Sequence, residues 1–487
     1  MTRRVVILGG GIAGLSAAET LARSDEFKRG ELELSLLEAR SSTGGRAGSF
    51  VERETGQTVD YCQHVAMGCC TTLLSLLQRM DLLRHFQRYE ALTFYHPDHG
   101  FSRFEPNKWL PAPLHLAMTL TSLKHLSSRD QKLIRKGLWR LMRTKSSDLV
   151  GVTAKDWLVM QGQEQSCIEK FWSVILVSAL GDTIDRVSMQ AARKVIVDGF
   201  AGARDASDVW VPRLPLSKIF GDEFSGRIRG MGVDLQLRSP VRELQRTQDA
   251  GTWEIHCSGG SRLVADDVLV ATPWHVSRRW FPELWGQSNS AAEEKPSDSE
   301  TPFESSPITG VHLWLDRSLT ELPHVAMVGT LTHWLFREPL DSHAEATTQV
   351  DGVYHQVVIS GRHGGEGWSG ERLVAEVMKE LEAAFPEVGT PNVLNFRVVT
   401  DPNAVFSVSP ATERCRPSVQ TEMPGLYLAG DAVATGWPST MEGAAISGQM
   451  AAKAVLGALA ASNNEADHFR GEPPGLPKGL LARWLIR

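Results

Sequence analysis

Nowhere in the 487 residues is there a run of about 18 apolar side chains, the length that crosses a hydrocarbon core, so no transmembrane helix is expected. The first apolar segment, at Val5, is too short for a secretory leader, and none is expected ahead of it. Cysteine is scarce: Cys62, Cys69, Cys70, Cys167, Cys257 and Cys415 make up the six. None forms C-x-x-C and no Cys/His group has zinc-ligand spacing, which excludes a disulfide scaffold and gives no metal site. Reduced thiols in a cytoplasmic protein are the expectation. Basic clusters are missing and the net charge is −6, so nucleic acid is not an expected partner. That charge also gives no global attraction to anionic lipid, though it leaves room for a local basic patch. No internal repeat occurs.

What is present is a globular composition, 42% hydrophobic and 22% charged, in a chain long enough for two or more domains. Residues 5–8 read VVIL, a short buried parallel strand. Gly9, Gly11 and Gly14 follow in the spacing G-x-G-x-x-G, with Ile12 and Ala13 opening an Ala/Leu-rich helix. Gly9 suits a tight strand-to-helix turn. Gly11 lets a pyrophosphate approach the backbone, and Gly14 lets helix and strand pack closely. The helix N-terminus favours phosphate. A second apolar run, LELSLLEAR, ends in Glu38 and Ala39. A carboxylate there is placed to accept hydrogen bonds from a ribose hydroxyl. It comes a few residues later than the usual spacing of about 20, and the charged insert SDEFKRGE accounts for the extra length. Together these features predict a dinucleotide site.

The next segment, STGGRAGSF, places Gly45 and Arg46 directly after the acid. Here the sequence resembles the flavin amine oxidase and carotenoid desaturase superfamily, and the resemblance implies bound FAD, with Arg46 able to bond its phosphates. A second signature lies near the C-terminus, LAGDAVATGWPSTMEGAAISG. It implies cofactor contacts from Gly430, Asp431, Glu442 and Ala444, with the helix after Glu442 directing its positive end at the flavin. The resemblance also places Val241 against the adenine. Within the superfamily, Gln63-His64, Met67-Gly68-Cys69 and the run from Gly436 to Ala444 resemble the hydroxysqualene dehydroxylase family. That implies an isoprenoid lipid substrate whose hydroxyl is removed and replaced by hydride, in squalene and hopanoid synthesis. Such a site needs a proton donor, for which His64 is the candidate, its other reading being a hydrogen-bonded structural histidine, and a dry electron-rich wall, for which Trp437 is the candidate. NADPH is the candidate reductant. Superfamily members usually carry glycine where Cys62 stands, which puts the local backbone in question. Other readings are a phytoene- or dehydrosqualene-type desaturase, an amine oxidase, and a non-catalytic flavoprotein.

The expected fold is α/β: a Rossmann-like FAD-binding domain (residues 1–70, 213–285 and 411–462), a helical cap together with part of the substrate domain (71–212), the mixed sheet and helix of the substrate domain (308–410) and a tail (463–487). Residues 286–307 are acidic and Ser/Pro-rich, and are expected to form a mobile loop. TWEIHCSG and RLVADDVLVATPW are expected to continue the nucleotide sheet. Residues 109–126 predict an unusually apolar helix from about Leu114, either a site of membrane contact and substrate entrance or an ordinary buried helix of the substrate domain. The basic, apolar tail is a candidate for a second such contact.

Overall fold

The computed structural model describes residues 2–247, 251–285, 303–337, 352–362, 364–462 and 476–487. The N-terminal apolar run forms the strand Arg3–Leu8, central in a five-stranded sheet. Its neighbours are Leu32–Leu37 and then Asp234–Gln236 on one side, and Asp267–Val270 and then Leu426–Leu428 on the other. All pairings are parallel. Such strands are covered on both faces, which is why VVIL and DVLV read as unbroken buried runs. The helix Ile12–Ala22 crosses the late helix Met441–Ser462 at Gly448, where a Cβ would lie 2.1 Å from the Ala13 carbonyl oxygen.

The second layer is a seven-stranded mixed sheet in the order Val393–Phe406, Ser305–Leu315, Val353–Ser360, Trp334–Arg337, His324–Met327, Leu92–His96, Gly100–Phe104. The helix Gly370–Ala384 buries Leu373, Val374, Val377 and Leu381 against it, the face its 3.6-residue period predicts. Helices Ser128–Arg143, Ala154–Met160 and Ser173–Leu180 make the cap, with Thr153 accepting from the Asp156 amide at the start of the second. Phe171 and Trp172 are core, and the Trp172 indole donates to Gln163 at 2.8 Å. The architecture is therefore the expected Rossmann-like sheet with a mixed-sheet layer and helical cap.

Three local expectations are corrected. Residues 109–126 form only the short turns Leu114–Leu116 and Thr119–Ser122. Pro111 and Pro113 lack amide donors, and the hydroxyls of Thr119, Thr121 and Ser122 bond carbonyls three residues back, competing with a longer helix. TWEIHCSG and RLVA do not continue the nucleotide sheet. They join Val241–Arg246 in a separate antiparallel meander, and only Asp267–Val270 returns to the parallel sheet. Within residues 71–212, Leu92–His96 and Gly100–Phe104 join the substrate sheet, beside the cap helices. Of the acidic loop, residues 286–302 lie outside the described residues; Phe303 is buried against Trp285 and Phe406, and Ser305 already begins a strand.

Candidate active site

The glycine-rich turn does three different things. Gly9 has φ +105°, and a Cβ on it would lie 2.7 Å from the Ala271 carbonyl oxygen. A Cβ on Gly14 would lie 1.9 Å from the Gly9 carbonyl oxygen. Gly11 differs: a Cβ there would meet nothing within 4 Å. This open space adjoins the N-terminus of Ile12–Ala22, which has no side-chain cap and no acid in its first turn although Ile12, Ala13 and Gly14 are buried. Buried amides at a helix start without a side-chain cap suit an anion, and the pyrophosphate of FAD fits.

Glu38 follows the second strand and is buried, its oxygens accepting from the amides of Gly10 at 2.7 Å and Arg40 at 2.8 Å. Ala39 is exposed beside it. The chain returns here before Val241: Ser239 and Arg238 donate to the carbonyls of Glu38 and Arg40, each at 2.9 Å. Glu38, Ala39 and half-buried Val241 therefore share one rim of the glycine turn.

Gly44 and Gly45 lie over that turn. The Gly44 amide bonds the Gly10 carbonyl at 2.8 Å, and a Cβ on Gly45 would lie 3.2 Å from the Gly11 Cα. Arg46 beyond them forms an ion pair with Asp431 and donates to the Ala404 carbonyl at 2.9 Å. Burial opposes ionisation of Asp431, but Arg46 and the Ser439 hydroxyl hold its carboxyl below the ordinary value. The reciprocal effect raises Arg46 against its own burial. Gly430 has φ +136° and its amide donates to Ser447 at 2.8 Å.

Glu442 is buried and turned to another helix. Its oxygens accept from the amides of Thr72 at 2.9 Å and Leu73 at 2.8 Å, closing the N-terminus of Thr71–Arg79. Burial raises its pKa against those amides. Ala444 lies half-buried in the first turn of Met441–Ser462.

His64 is half-buried, with Nδ1 2.8 Å from the Cys62 carbonyl oxygen. A carbonyl only accepts, so Nδ1 carries the proton. Burial, reinforced by Arg46, pushes the His64 pKa down. Cys62 itself does not take a positive φ. Trp437 carries the Lys194 ammonium 4.7 Å from its ring centroid, and Lys194 also pairs with Asp198 at 2.8 Å.

Three residues of this neighbourhood are not singled out by sequence reasoning. Lys194 is one, brought to Trp437 only by the tertiary fold. Arg416 is another: buried, it donates to the carbonyls of Asp431 at 2.9 Å, Val433 at 2.6 Å and Trp437 at 2.7 Å, tying down the loop after Gly430. The third is Asp60, whose Oδ1 accepts from Ser49 at 2.6 Å and the Leu216 amide at 2.8 Å. Burial pushes its carboxyl up to about 7.

Residues 12–456 match the family described as flavin-containing amine oxidoreductases. The chain belongs to that family. As a flavin-containing amine oxidoreductase it is an FAD-dependent oxidoreductase of the amine oxidase and desaturase superfamily. It is 24% identical over 474 residues to the 15-cis-phytoene desaturase of Solanum lycopersicum, covering 93% of this chain and 77% of that one. It is 22% identical over 457 residues to the hydroxysqualene dehydroxylase of Zymomonas mobilis, covering 92% of this chain and 98% of that one. A solved putrescine oxidase with putrescine bound superposes at TM-score 0.64 with 15% identity, covering 94% and 99% of the two chains, and shares the fold.

Proposed function

We propose that this flavoenzyme removes the hydroxyl of hydroxysqualene and replaces it with hydrogen, giving squalene. The observation that carries the reading is His64: a histidine tied by Nδ1 to Cys62, in a Gln-His pair beside Arg46, presents Nε2 as the atom to protonate a departing oxygen. FAD, when bound and reduced, supplies the hydride, and NADPH is the proposed source of its electrons. Gly11, the start of Ile12–Ala22, Gly45 and Arg46 hold its phosphates; Glu38, Val241, Gly430 and Asp431 hold its sugar, adenine and ribityl parts.

The remaining work belongs to side chains. In the imidazolium form Nε2 also carries a proton, which passes to the hydroxyl as the C–O bond breaks; the oxygen leaves as water and the ring is left neutral with its proton on Nδ1. Lowering the pKa of the imidazolium makes it a stronger acid at the moment of transfer. Trp437 offers an aromatic wall, with one face taken by Lys194, so any cationic carbon uses the other. Glu442 acts through position, fixing Thr71–Arg79 against the cofactor-side helix.

The second reading, desaturation of a phytoene- or dehydrosqualene-type polyene, is favoured by the same lowered pKa, because a neutral imidazole accepts protons. The resemblance to curated phytoene desaturases also supports it. Either reading makes the protein a cytoplasmic enzyme working at the inner face of a membrane, with residues 109–126 as one contact.

The deciding experiment mixes photoreduced enzyme with hydroxysqualene without oxygen. Flavin reoxidation with squalene formed is expected. Persistence of reduced flavin, with turnover of phytoene by the oxidised enzyme, would replace this reading with the second.

A further inference from the structure

Large apolar side chains stand in solvent on one side of the cap. Trp109 is 90% exposed, Met118 60%, Leu480 86% and Trp484 77%. They come from two distant stretches that the fold makes adjacent. The C-terminal helix Leu480–Leu485 begins at Gly479, where a Cβ would lie 3.7 Å from Ala112, and the Gly479 amide bonds the Gly202 carbonyl at 3.3 Å. At its other end the Arg487 amide bonds the Met142 carbonyl at 2.9 Å, and Arg193 holds the Arg487 carbonyl.

Met142 belongs to the helix Ser128–Arg143, which is basic: Arg129, Lys132, Arg135, Lys136, Arg140 and Arg143 against one acid. That acid, Asp130, is buried and occupied in a capping box with Ser127. Lys132, Arg135, Lys136 and Arg140 are exposed, and Trp139 stands 49% exposed among them. Arg483 on the terminal helix is exposed too. Some cations are already paired, Lys108 with Glu90, Lys478 with Asp198 and, on the basic helix itself, Arg129 with Glu164, so the surplus charge lies on Lys132, Arg135, Lys136, Arg140 and Arg483.

We infer that this face docks on an anionic phospholipid bilayer, with Trp109, Met118, Leu480 and Trp484 entering the headgroup boundary and the basic helix lying along it. Charge complementarity selects the occupant. On a chain of net charge −6, a cationic helix flanking bare Trp and Leu side chains matches an interfacial anchor. The face also reaches the active site. Gly202 closes the wide-turned segment Lys194–Ala201, and Lys194 at its far end sits over Trp437. A substrate dissolved in the bilayer then meets the protein where that segment ends, at Gly202, and the segment leads back to Lys194 and Trp437. This inference holds for any membrane-dissolved substrate, whichever reaction the flavin runs.

The test is co-sedimentation of the full-length, flavin-loaded protein with phosphatidylcholine vesicles, with and without phosphatidylglycerol. Binding to the anionic vesicles that weakens with salt is expected. The combined variant Trp109→Ser, Leu480→Ser, Trp484→Ser should lose at least about tenfold in binding at unchanged flavin content, because these side chains are exposed. Lys132→Gln and Lys136→Gln should each weaken anionic-vesicle binding by about fivefold and flatten the salt dependence. No sedimentation with anionic vesicles, or equal binding by the variants, overturns the inference. So does a parent dimer that the triple variant splits while neither form binds vesicles, which would make the face a contact between copies.

Discussion

Arg46 and Asp431 hold each other ionised. Removing Arg46 leaves a largely buried carboxylate with no countercharge and only neutral donors, Ser439 and its own backbone amide, beside the proposed phosphate site. Arg46→Ala is therefore expected to weaken FAD binding by at least about tenfold, read as flavin absorbance per purified protein; full retention would remove Arg46 from the site. The pair also sets an acid limit. Asp431 has a depressed pKa, so its stabilising contribution is complete above about 3.9, the ordinary aspartate value, and is lost as pH falls through the depressed one. For His64 the sign is opposite and concerns rate. A proton donor with a lowered pKa gives single-turnover rates that fall as pH rises through a value below 6.5, its ordinary pKa, and His64→Gln should flatten that profile while slowing the step by roughly 100-fold. A rate that instead rises to a plateau would make His64 a base and favour desaturation. Residues in the glycine turn and in GGR were legible because neighbours in sequence are neighbours in space. Lys194 and Arg416 were not, because nothing near them in the chain announces Trp437 or the loop after Gly430.

At the scale of elements, the strand–turn–helix unit was readable since its glycines have separate steric duties, and these duties can be told apart. Gly11→Ala meets no protein atom, so the ligand-free fold should keep its melting temperature while flavin occupancy drops. Gly448→Ala drives a methyl to 2.1 Å from the Ala13 carbonyl and must push the packed helices apart, so it should lower stability by about 1–3 kcal/mol before any effect on flavin is considered. Thermal melts of both variants with the cofactor stripped check the contrast; equal losses would mean the space beside Gly11 is filled by the protein itself. Residues 109–126 show the opposite case. Their apolar composition suggested a helix, but prolines and hydroxyl-to-carbonyl bonds broke it into turns, and at Ala112 the stretch came to lie beside the start of the C-terminal helix, a neighbour no local pattern could name.

Across the whole molecule, the chain passes repeatedly between its two sheets. The nucleotide sheet takes strands from residues 3–8, 32–37, 234–236, 267–270 and 426–428, while the substrate sheet takes 92–104 and then 305–406. The parallel half was visible from short-range βαβ order. The substrate sheet was only partly visible, because Leu92–His96 pairs with His324–Met327, far along the chain, and neither partner carries the other's signature. Interleaving has a thermodynamic consequence. No single cut frees either half, and in the proposed site the glycine turn, the GGR segment and the loop after Gly430 share one cofactor, so bound FAD would couple segments from both ends of the chain. Large multidomain proteins often unfold in stages, but here release of flavin and loss of helical ellipticity should coincide. Excess FAD at about 100 times its dissociation constant should raise stability by about 2.7 kcal/mol, moving both midpoints by the same interval. If flavin fluorescence appears first and a later, FAD-insensitive transition follows, the substrate sheet and cap stand alone, and the cofactor organises only the nucleotide half.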